Sequence, residues 1–529
     1  MNTVKTPGVS SLLQNLNKEQ LLAVTHGEGP LLIIAGAGTG KTTVITRRIS
    51  WLIEQGRAQT NEILALTFTD KAAAEMLDRV DQLMPLGYSE IAISTFHAFA
   101  QEVLRDHALD IGLPSDFRLL TGTQAWMLIQ KHLDEFELDY YRPMGNSTKF
   151  IHALLDHFDK AKREGVSPED YLKYAQDLQL ATDSPTTAKS KRKKKPAPGP
   201  DAPDPQEIAR VQEVAGAFHV YQKLLLDEGF LDFNDLIGYT LKLFKSRPKI
   251  LEQYRRRYKY VLVDEFQDTD LAQYELIKLL SDHHRNITVV GDDDQSIYKF
   301  RGASISNILK FEDDYPGLAK VTLVENYRSG QKILDFAYNF IQQNNPERLE
   351  AKLKISKKLQ SQKSTPGQIE VLHAQTGHDE ALRVADKIVD LMAGGGLTYN
   401  DFAILVRAND HAEVFLGELA ARGIPYIFVA NRGLYKKPFI LDILAYLKLL
   451  DNYHESDALF RVLNLEKFRL PVSALVAITQ TAKRKGLSVY EVLRQAEILL
   501  KISEDSQRKI REFLQILDRD SAQARDMRV

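Results

Sequence analysis

Leu31-Leu-Ile-Ile-Ala35-Gly-Ala-Gly-Thr-Gly-Lys-Thr42 is the stretch of sequence that decides the fold. Its apolar first part predicts a buried strand, and a helical pattern follows from Lys41 to Glu54. A strand, a glycine-rich turn and a helix N-terminus predict a phosphate-binding loop, because backbone N–H groups and the helix dipole face the anion. An ordinary glycine-rich turn is the alternative. The preceding strand and Gly40-Lys41-Thr42 favour the phosphate loop.

The whole loop is predicted to bind the phosphates of a nucleotide. Lys41 would reach the β- and γ-phosphates, and the Thr42 hydroxyl would bind Mg²⁺. Ala35 stands where the strict motif has glycine, and Thr43 extends the predicted nucleotide contacts by one residue. The predicted nucleotide-binding residues of the loop are Ala35, Gly36, Ala37, Gly38, Thr39, Gly40, Lys41, Thr42 and Thr43.

Short apolar runs alternate with helical patterns on either side of a long helical stretch. Such strands predict a parallel sheet covered by helices on both faces, a doubly wound α/β fold that binds ligands at the carboxyl ends of its strands. The further predicted strands are Ile63 to Phe68, Ile91 to Thr95, Tyr260 to Val263, Ile287 to Val290 and Val321 to Val324.

Polar side chains follow two of these strands. Val261-Leu-Val-Asp-Glu265 ends in two carboxylates: Asp264 suits Mg²⁺, directly or through water, and Glu265 suits the base that orients and deprotonates an attacking water. Surface strands also often end in acids. Gln295, after the strand at 287–290, can sense a γ-phosphate without adding charge. The run Tyr298-Lys-Phe-Arg301 interleaves aromatic rings with cations, as single-stranded nucleic acid requires.

The remaining sequence divides into three parts. Between His97 and Asp232 we expect helices only, interrupted at 182–205 by a basic and Pro-rich insert that is a disordered linker or a basic arm for nucleic acid. A second α/β region is predicted from strands at Ile369 to Leu372 and Phe402 to Val406, with helices at 379–392 and 412–422. From about residue 456 the pattern is helical to the end.

Composition bounds the class of protein. A chain of 529 residues predicts about three or four domains. Apolar residues are 44% and charged residues 26% of the chain, as in globular proteins, and no run is long and apolar enough to span a membrane. The absence of cysteine excludes disulfides and cysteine nucleophiles and fits a cytoplasmic location. The net charge of −2 does not argue against DNA binding, since phosphate contacts need only one basic groove.

A series of motifs in this order resembles the superfamily 1 DNA helicases of the UvrD/Rep/PcrA type. The motifs are Leu16-Asn-Lys-Glu-Gln20, Ala35 to Thr42, Thr67-Phe-Thr-Asp-Lys-Ala-Ala73, Thr95-Phe-His97, Asp232-Phe-Asn-Asp-Leu236, Asp264-Glu-Phe-Gln-Asp-Thr269, Gly291 to Ala303 and Glu325-Asn-Tyr-Arg-Ser329. The resemblance implies a P-loop NTPase with two RecA-like, doubly wound parallel-sheet domains that carry helical insertion domains.

The resemblance also implies domain boundaries and roles around the nucleotide. Residues 1–107 and 231–325 match the first RecA-like domain and 108–230 its helical insertion, while 326–454 match an incomplete second domain and 455–529 the start of its insertion. Gln20 resembles the glutamine that reads the adenine edge, although alone it would be a surface residue. Tyr327 resembles the tyrosine that stacks on adenine. Arg328 resembles the arginine that stabilises charge on the γ-phosphate.

The positions that resemble the family's single-strand contacts are Phe68, Lys71, Thr95, Phe96, His97, Tyr298, Phe300 and Arg301. Core packing is the alternative for Phe96 and His97. Asp70 stands where the family usually has asparagine, which adds negative charge near the DNA path, and Thr43 replaces a frequent arginine. The family's last two motifs are not found before residue 529, so we expect a truncated or split family member.

The implied function is that of an ATP- and Mg²⁺-dependent DNA helicase or translocase acting in repair or recombination. It would bind single-stranded DNA and junctions of single- and double-stranded DNA and move 3′ to 5′. Two alternatives are open: an ATP- and DNA-binding fragment without efficient turnover, and the motor part of a helicase–nuclease. Repair or nuclease proteins are possible partners, and no membrane association is expected.

Overall fold

The computed structural model describes residues 11–84, 91–183, 204–297, 306–429 and 438–526. The chain divides into two compact units, Met1–Glu370 and Val371–Val529. The predicted aromatic and basic run with Tyr298, Phe300 and Arg301 lies outside the described residues, as do residues 184–203 of the predicted insert. No helix in the described ranges has the length and apolarity needed to cross a membrane.

The described residues of the first unit contain ten strands, and all of their pairings are parallel. They are β1 (Leu31–Ala35), β2 (Ile63–Thr67), β3 (Ala92–Thr95), β4 (Arg118–Leu119), β5 (Phe230–Leu231), β6 (Tyr260–Val263), β7 (Ile287–Gly291), β8 (Ala319–Leu323), β9 (Glu325–Asn326) and β10 (Gln360–Ser361). The predicted strands of the main sheet are therefore confirmed with small shifts of their ends.

The main sheet has six strands in the order β3-β2-β6-β7-β1-β8. Every residue of β1, β2, β6 and β7 is buried, as continuous apolar runs in a parallel sheet require. The register aligns the carboxyl ends: Ile34 pairs with Gly291, and Val263 pairs with Leu66 and Val289. Residues that follow these strands are thereby brought to one edge of the sheet.

Helices cover both faces of this sheet. Leu32 and Ile34 share a buried cluster with α4 and α9–α11, whereas Leu31 and Ile33 pack against α2 and α3, so the sheet is doubly wound as predicted. The helices of the first unit are α1 (Lys18–Val24), α2 (Lys41–Glu54), α3 (Asp70–Leu83), α4 (Phe96–His107), α5 (Gly122–Lys131), α6 (Ile151–Arg163), α7 (Pro168–Asp183), α8 (Pro205–Asp227), α9 (Phe233–Ser246), α10 (Pro248–Arg257), α11 (Leu271–Ser281), α12 (Ser306–Asp314), α13 (Gln331–Ile341) and α14 (Leu349–Lys352).

The predicted helical stretch between His97 and Asp232 contains one pair of strands. Helices α5, α6 and α8 share a separate apolar core, in which Phe158 stacks on Phe218 at 5.0 Å between ring centroids. The two-residue strands β4 and β5 pair beside this core, which corrects the expectation of helices only. Two residues are too few to produce the period-two alternation that reveals a strand in a sequence.

The second unit is helical in its described residues. Its helices are α15 (Gly377–Ala393), α16 (Glu413–Ala421), α17 (Pro438–Asp451), α18 (Ser456–Leu463), α19 (Val472–Lys485), α20 (Val489–Arg494), α21 (Ala496–Leu499) and α22 (Glu504–Asp526). The helical pattern predicted from residue 456 onward is confirmed, with an apolar core of its own.

The predicted strands at Ile369 to Leu372 and Phe402 to Val406 are not strands in the structure. Both segments lack a ladder of backbone hydrogen bonds to a neighbouring segment among the described residues, and a strand exists only with such a partner. The Leu405 side chain is 94% exposed as a result. The α/β class with a parallel sheet is confirmed by the first unit, and a second RecA-like sheet stays a prediction.

Candidate active site

The loop between β1 and α2 depends on two glycines with left-handed backbone. Gly38 has φ +76° and Gly40 has φ +87°, a region that residues with a Cβ rarely adopt. A Cβ on Gly38 would lie 2.7 Å from the Cβ of Arg328, and a Cβ on Gly40 would lie 2.9 Å from Nε2 of Gln20. The glycines therefore let two predicted nucleotide-binding side chains approach the loop closely.

A cavity of about 570 Å³ lies against this loop. It is lined by Asn15, Leu16, Gln20, Ala37, Gly38, Gly40, Lys41, Thr42, Thr43, Glu75, Arg79, Glu265, Gln295, Tyr327 and Arg328. Most of the predicted nucleotide-binding and catalytic residues thus surround one space. The lining does not include Ala35, Gly36, Thr39 or Asp264. Thr39 instead stabilises the loop, because its hydroxyl donates to the Gly36 carbonyl at 2.8 Å.

Lys41 forms the polar centre of the cavity. Its Nζ donates to Glu265 Oε2 at 2.9 Å and to Gln295 Oε1 at 3.0 Å. Gln267 donates from Nε2 to the same Glu265 oxygen at 2.8 Å, and Asp292 Oδ2 accepts from Gln295 Nε2 at 2.7 Å. The side chains after β6 and β7 therefore converge on the lysine of the loop, as the alignment of the strand ends requires.

Glu265 has a left-handed backbone, with φ +49° and ψ +44°. For a residue with a Cβ this conformation costs about 1 kcal/mol or more and is found where function imposes a geometry. Here it turns the chain at the end of β6, and the Glu265 carboxylate reaches Lys41. The strained residue is therefore the one predicted to act as the base.

Asp264 lies behind Glu265. Its Oδ1 accepts from the Glu265 N–H at 2.9 Å, and its side chain is buried. Burial raises the pKa of Asp264 to about 6, and the nearby Glu265 carboxylate acts in the same direction. The Asp264 carboxylate therefore does not open directly onto the cavity.

The other end of the cavity joins Gln20 and Tyr327 to the loop. Gln20 is buried and donates from Nε2 to the Thr39 carbonyl at 2.9 Å, so it is not an ordinary surface residue. Tyr327 Oη donates to Glu325 Oε2 at 2.7 Å and accepts from Asn17 Nδ2 at 3.1 Å. These bonds hold the tyrosine ring beside the loop with one part exposed.

Asn326 was not predicted as a site residue, although it lies within a quoted motif. Its Nδ2 donates to the Ala37 carbonyl at 2.6 Å, and its Oδ1 accepts from the N–H groups of Arg328 and Ser329 at 3.0 and 2.8 Å. One amide thereby fixes the backbone of Arg328 relative to the phosphate loop. In the sequence, its signal is an asparagine directly before the Tyr-Arg pair.

Glu75 and Arg79 were also missed. They lie one turn apart on α3, form an ion pair, and line the cavity beside Thr42 and Thr43. The guanidinium of Arg79 supplies a cation on the side where Thr43 replaces an arginine. Their spacing of four residues on a predicted helix after β2 is the signal that could have found them.

Two adjoining cavities of about 280 and 360 Å³ lie at the carboxyl ends of β2 and β3. Both are lined by Phe68, Thr69, His97 and Phe233, which we call the aromatic groove. Phe233 is 53% exposed and meets His97 edge to face at 6.2 Å between ring centroids. This exposed ring at the start of α9 was not predicted as a contact, although its motif was recognised.

The remaining predicted DNA contacts divide into two groups. Lys71 is exposed at the start of α3. Thr95 is buried: its hydroxyl caps α4 at the Ala98 N–H and donates to Asp70 Oδ1 at 3.3 Å. Phe96 is 2% exposed within the core and also lines the smaller of the two cavities, so its contact with DNA stays a prediction.

Burial lowers the pKa of the His97 imidazole below its ordinary value of 6.5, and the guanidinium of Arg163 acts in the same direction. Both causes disfavour a positive charge on this ring, which lines the groove together with Arg163.

Asp270, which lines the same groove, predicts a pH-dependent stability. Burial raises its pKa to about 7 from an ordinary value of 3.8, so the folded chain keeps a proton that the unfolded chain loses. As pH rises from 3.8 to about 7, the Asp270 carboxyl therefore lowers the free energy of unfolding, and this decrease is complete above pH 7. We expect the melting temperature of Asp270→Asn, relative to the wild type, to rise by at least about 3 °C between pH 4 and pH 8.

The matched control is Asp227→Asn, which changes an exposed carboxylate on α8. Its melting temperature relative to the wild type should stay constant over the same pH range. A constant difference for Asp270→Asn as well would contradict the assigned titration.

The comparison with protein families decides how this site is classified. The profile described as the UvrD/REP helicase N-terminal domain matches residues 16–316, more than half of the chain. The chain belongs to the UvrD/REP helicase family. A second profile, the UvrD-like helicase C-terminal domain, matches residues 321–520 of this family member. The family assignment and the P-loop NTPase fold expected from the sequence are therefore confirmed.

This UvrD/REP family chain is similar to several bacterial helicases. The chain is 34% identical over 512 residues to the ATP-dependent DNA helicase PcrA of Leuconostoc citreum, covering 96% of this chain and 62% of the relative. It is 35% identical over 491 residues to that of Bacillus subtilis, covering 93% and 60%, and equally identical to that of Staphylococcus epidermidis, covering 93% and 61%. The chain thus spans about 60% of the length of these relatives.

Proposed function

We propose that this UvrD/REP family chain is an ATP-dependent DNA helicase or translocase. It would bind single-stranded DNA, move 3′ to 5′ and act in DNA repair or recombination. The observation that carries the proposal is the convergence of Glu265 and Gln295 on Lys41, in a cavity that Arg328 also lines. A base, a cation and two groups suited to a γ-phosphate meet there, which is the equipment for phosphoryl transfer to water.

In this proposal each side chain has one task during hydrolysis. Lys41 gives up its contact with Gln295 or Glu265 and binds phosphate oxygens. Once its contact with Glu265 is lost, that carboxylate is free to accept a proton from the attacking water. Gln295 then faces the γ-phosphate, and Arg328 stabilises the charge that develops on it. Tyr327 stacks on the adenine, and Gln20 reads its edge.

The residues near the loop also fit Mg²⁺. Thr42 lines the cavity with a hydroxyl, and Asp264 offers a carboxylate oxygen, the ligand type that Mg²⁺ prefers. Because Asp264 lies behind Glu265, we propose that it acts through a metal-bound water. Bound Mg²⁺ would neutralise charge on the phosphates as hydrolysis proceeds.

For the nucleic acid we propose the aromatic groove. Phe68, His97 and Phe233 offer ring faces for bases, Arg163 supplies a cation in the lining, and the exposed Lys71 follows the lining residue Asp70. This combination suits single-stranded DNA, and the relatives named as DNA helicases favour DNA over RNA. Junctions of single- and double-stranded DNA would be the working substrate, in the cytoplasm.

Phe233→Ala tests the groove. Loss of one stacking ring should weaken the affinity for single-stranded DNA by about tenfold, since stacking contributes about 1–3 kcal/mol per base. The measurement is fluorescence anisotropy with a labelled oligonucleotide, at one salt concentration. The affinity for ATP should stay unchanged.

Phe340→Ala is the matched control, because it removes an equally exposed ring on α13 that does not line the groove. It should leave the DNA affinity unchanged. Equal weakening by both substitutions would contradict the assignment of the groove.

The experiment that tests the proposed function is phosphate release by this chain, with and without single-stranded DNA. We expect DNA to stimulate turnover. Binding of ATP and DNA without turnover would instead support the rival function, an ATP- and DNA-binding module. The motor of a helicase–nuclease gives the same stimulation and differs only in DNA cleavage.

A further inference from the structure

Three consecutive aspartates follow β7, and their carboxylates surround one lysine. Asp292, Asp293 and Asp294 have carboxylate oxygens within 4.8 Å of one another, a spacing that could hold a metal ion. The ammonium of Lys357 forms an ion pair with all three and lies 2.8 Å from Asp294 Oδ2. Lys357 is 6% exposed. A side-chain cation therefore occupies the centre of this cluster.

A second buried cation contacts only one side of the cluster. Arg348 donates from Nε and Nη2 to the two oxygens of Asp294, at 2.7 and 2.6 Å, and from Nη1 to Glu350 at 2.7 Å. The Leu349 N–H donates to Asp293 at 2.8 Å. Asp292 has no contact with Arg348 among the described hydrogen bonds, so Lys357 is the cation that neutralises it.

Asp292 connects the cluster to the nucleotide cavity. Its Oδ1 contacts Lys357, while its Oδ2 accepts from Gln295 Nε2 at 2.7 Å. Because Asp292 accepts from the amide nitrogen, the amide oxygen of Gln295 is turned toward Lys41, 3.0 Å away. The orientation of the Gln295 amide therefore depends on a carboxylate whose charge and position are set by Lys357.

The segment that carries Lys357 also contacts the loop and the strand before Arg328. A Cβ on Gly36 would lie 2.9 Å from Cδ2 of Leu359, which shows how closely Leu359 packs on the loop. Directly after Leu359, Gln360–Ser361 pairs with Glu325–Asn326. Lys357 thus lies on a segment that packs against the loop and pairs with the strand before Arg328.

We propose that Lys357 is a positioning residue for ATP hydrolysis, which holds the Gln295 amide with its oxygen on Lys41 and one Nε2 hydrogen on Asp292, so that the second Nε2 hydrogen is left to donate to the γ-phosphate. The proposal deepens the function proposed above and rests on it for the role of Gln295. Lys357 acts through Asp292 and does not line the nucleotide cavity. Its positive charge also offsets the charge of the Asp292 carboxylate beside an anionic ligand.

Lys357→Met tests this role through the discrimination between ATPγS and ADP, which differ at the γ position. In the intact chain, calorimetry gives the ratio of the two dissociation constants in the presence of Mg²⁺. We expect ATPγS to be preferred by the wild type and the preference to fall about tenfold in Lys357→Met, the usual effect of losing a charge-assisted hydrogen bond. Affinity for ADP should change little.

Two controls separate positioning from folding. Lys358→Met removes the neighbouring exposed lysine and should change neither the ratio nor the melting temperature. Arg348→Gln removes the other buried cation and should lower the melting temperature while the ratio stays within about twofold. An equal loss of preference in Arg348→Gln would mean that the cluster is only structural and would overturn the proposal.

A double-mutant cycle with Gln295→Ala gives the decisive reading. If Lys357 acts through Gln295, Lys357→Met should cause no further loss of preference in the Gln295→Ala chain, whereas independent multiplication of the two losses refutes the proposal. If Lys357→Met does not fold, Asp292→Asn replaces it in the same cycle with the same expectation. A wild type without any preference for ATPγS also overturns the proposal. A wild type that prefers ATPγS over ADP but releases no phosphate would contradict only the proposed turnover, and not the role of Lys357.

Discussion

Glu265→Gln is expected to lower DNA-stimulated ATP hydrolysis by at least about a hundredfold, since general-base catalysis contributes about 10²–10⁴-fold. The amide has the same shape and can still accept the hydrogen bond from Lys41, which is 2.9 Å long in the wild type. It cannot take a proton from water. The affinity for ATP should therefore change by less than about threefold, and both quantities are measured by phosphate release and calorimetry.

Glu62→Gln is the matched control for this substitution. Glu62 lies directly before β2, at the amino edge of the same sheet, where it pairs with Lys259. The change of charge and shape is identical, but the cavity is at the opposite edge. Hydrolysis at the wild-type rate in Glu265→Gln, or an equal loss in Glu62→Gln, would remove Glu265 from the role of base.

Arg328→Ala is expected to lower the same rate by about a thousandfold, the lower limit for an arginine that stabilises a transferred phosphoryl group. Asn326 fixes the backbone of Arg328 beside the loop, so the loss should come from the missing guanidinium and not from a displaced segment. The positive charge of the Arg328 guanidinium stabilises mainly the transition state of hydrolysis. We therefore expect a fall in kcat with a small change in ATP affinity.

Lys332→Ala provides the comparison for Arg328. It removes an exposed cation four residues further on, in α13, that does not line the cavity. Its kcat should equal that of the wild type. A matching decrease in both variants would indicate a general effect of charge, and a decrease in ATP affinity without a change in kcat would make Arg328 a binding residue only.

The nucleotide site could be predicted from the sequence because its parts follow buried parallel strands. The apolar runs fixed β1, β6 and β7, and the alignment of their carboxyl ends then brought Lys41, Glu265 and Gln295 together without knowledge of any contact. Local signals of this kind are strong, since each combines a strand with the turn that follows it.

The errors have a different physical origin. The strands expected at 369–372 and 402–406 had the right composition, yet pairing partners decide whether a strand forms. Asn326, Arg79 and Lys357 were missed because their roles arise from contacts between distant parts of the chain.

The left-handed backbone of Glu265 has a consequence for how this protein can change by mutation. Glycine would adopt φ +49° without penalty, so a glycine at this position would relieve about 1 kcal/mol of backbone strain and lose the carboxylate that contacts Lys41. Selection for heat resistance alone would favour that exchange, whereas selection for turnover opposes it. The position thus links the stability of the first unit to the carboxylate that contacts Lys41.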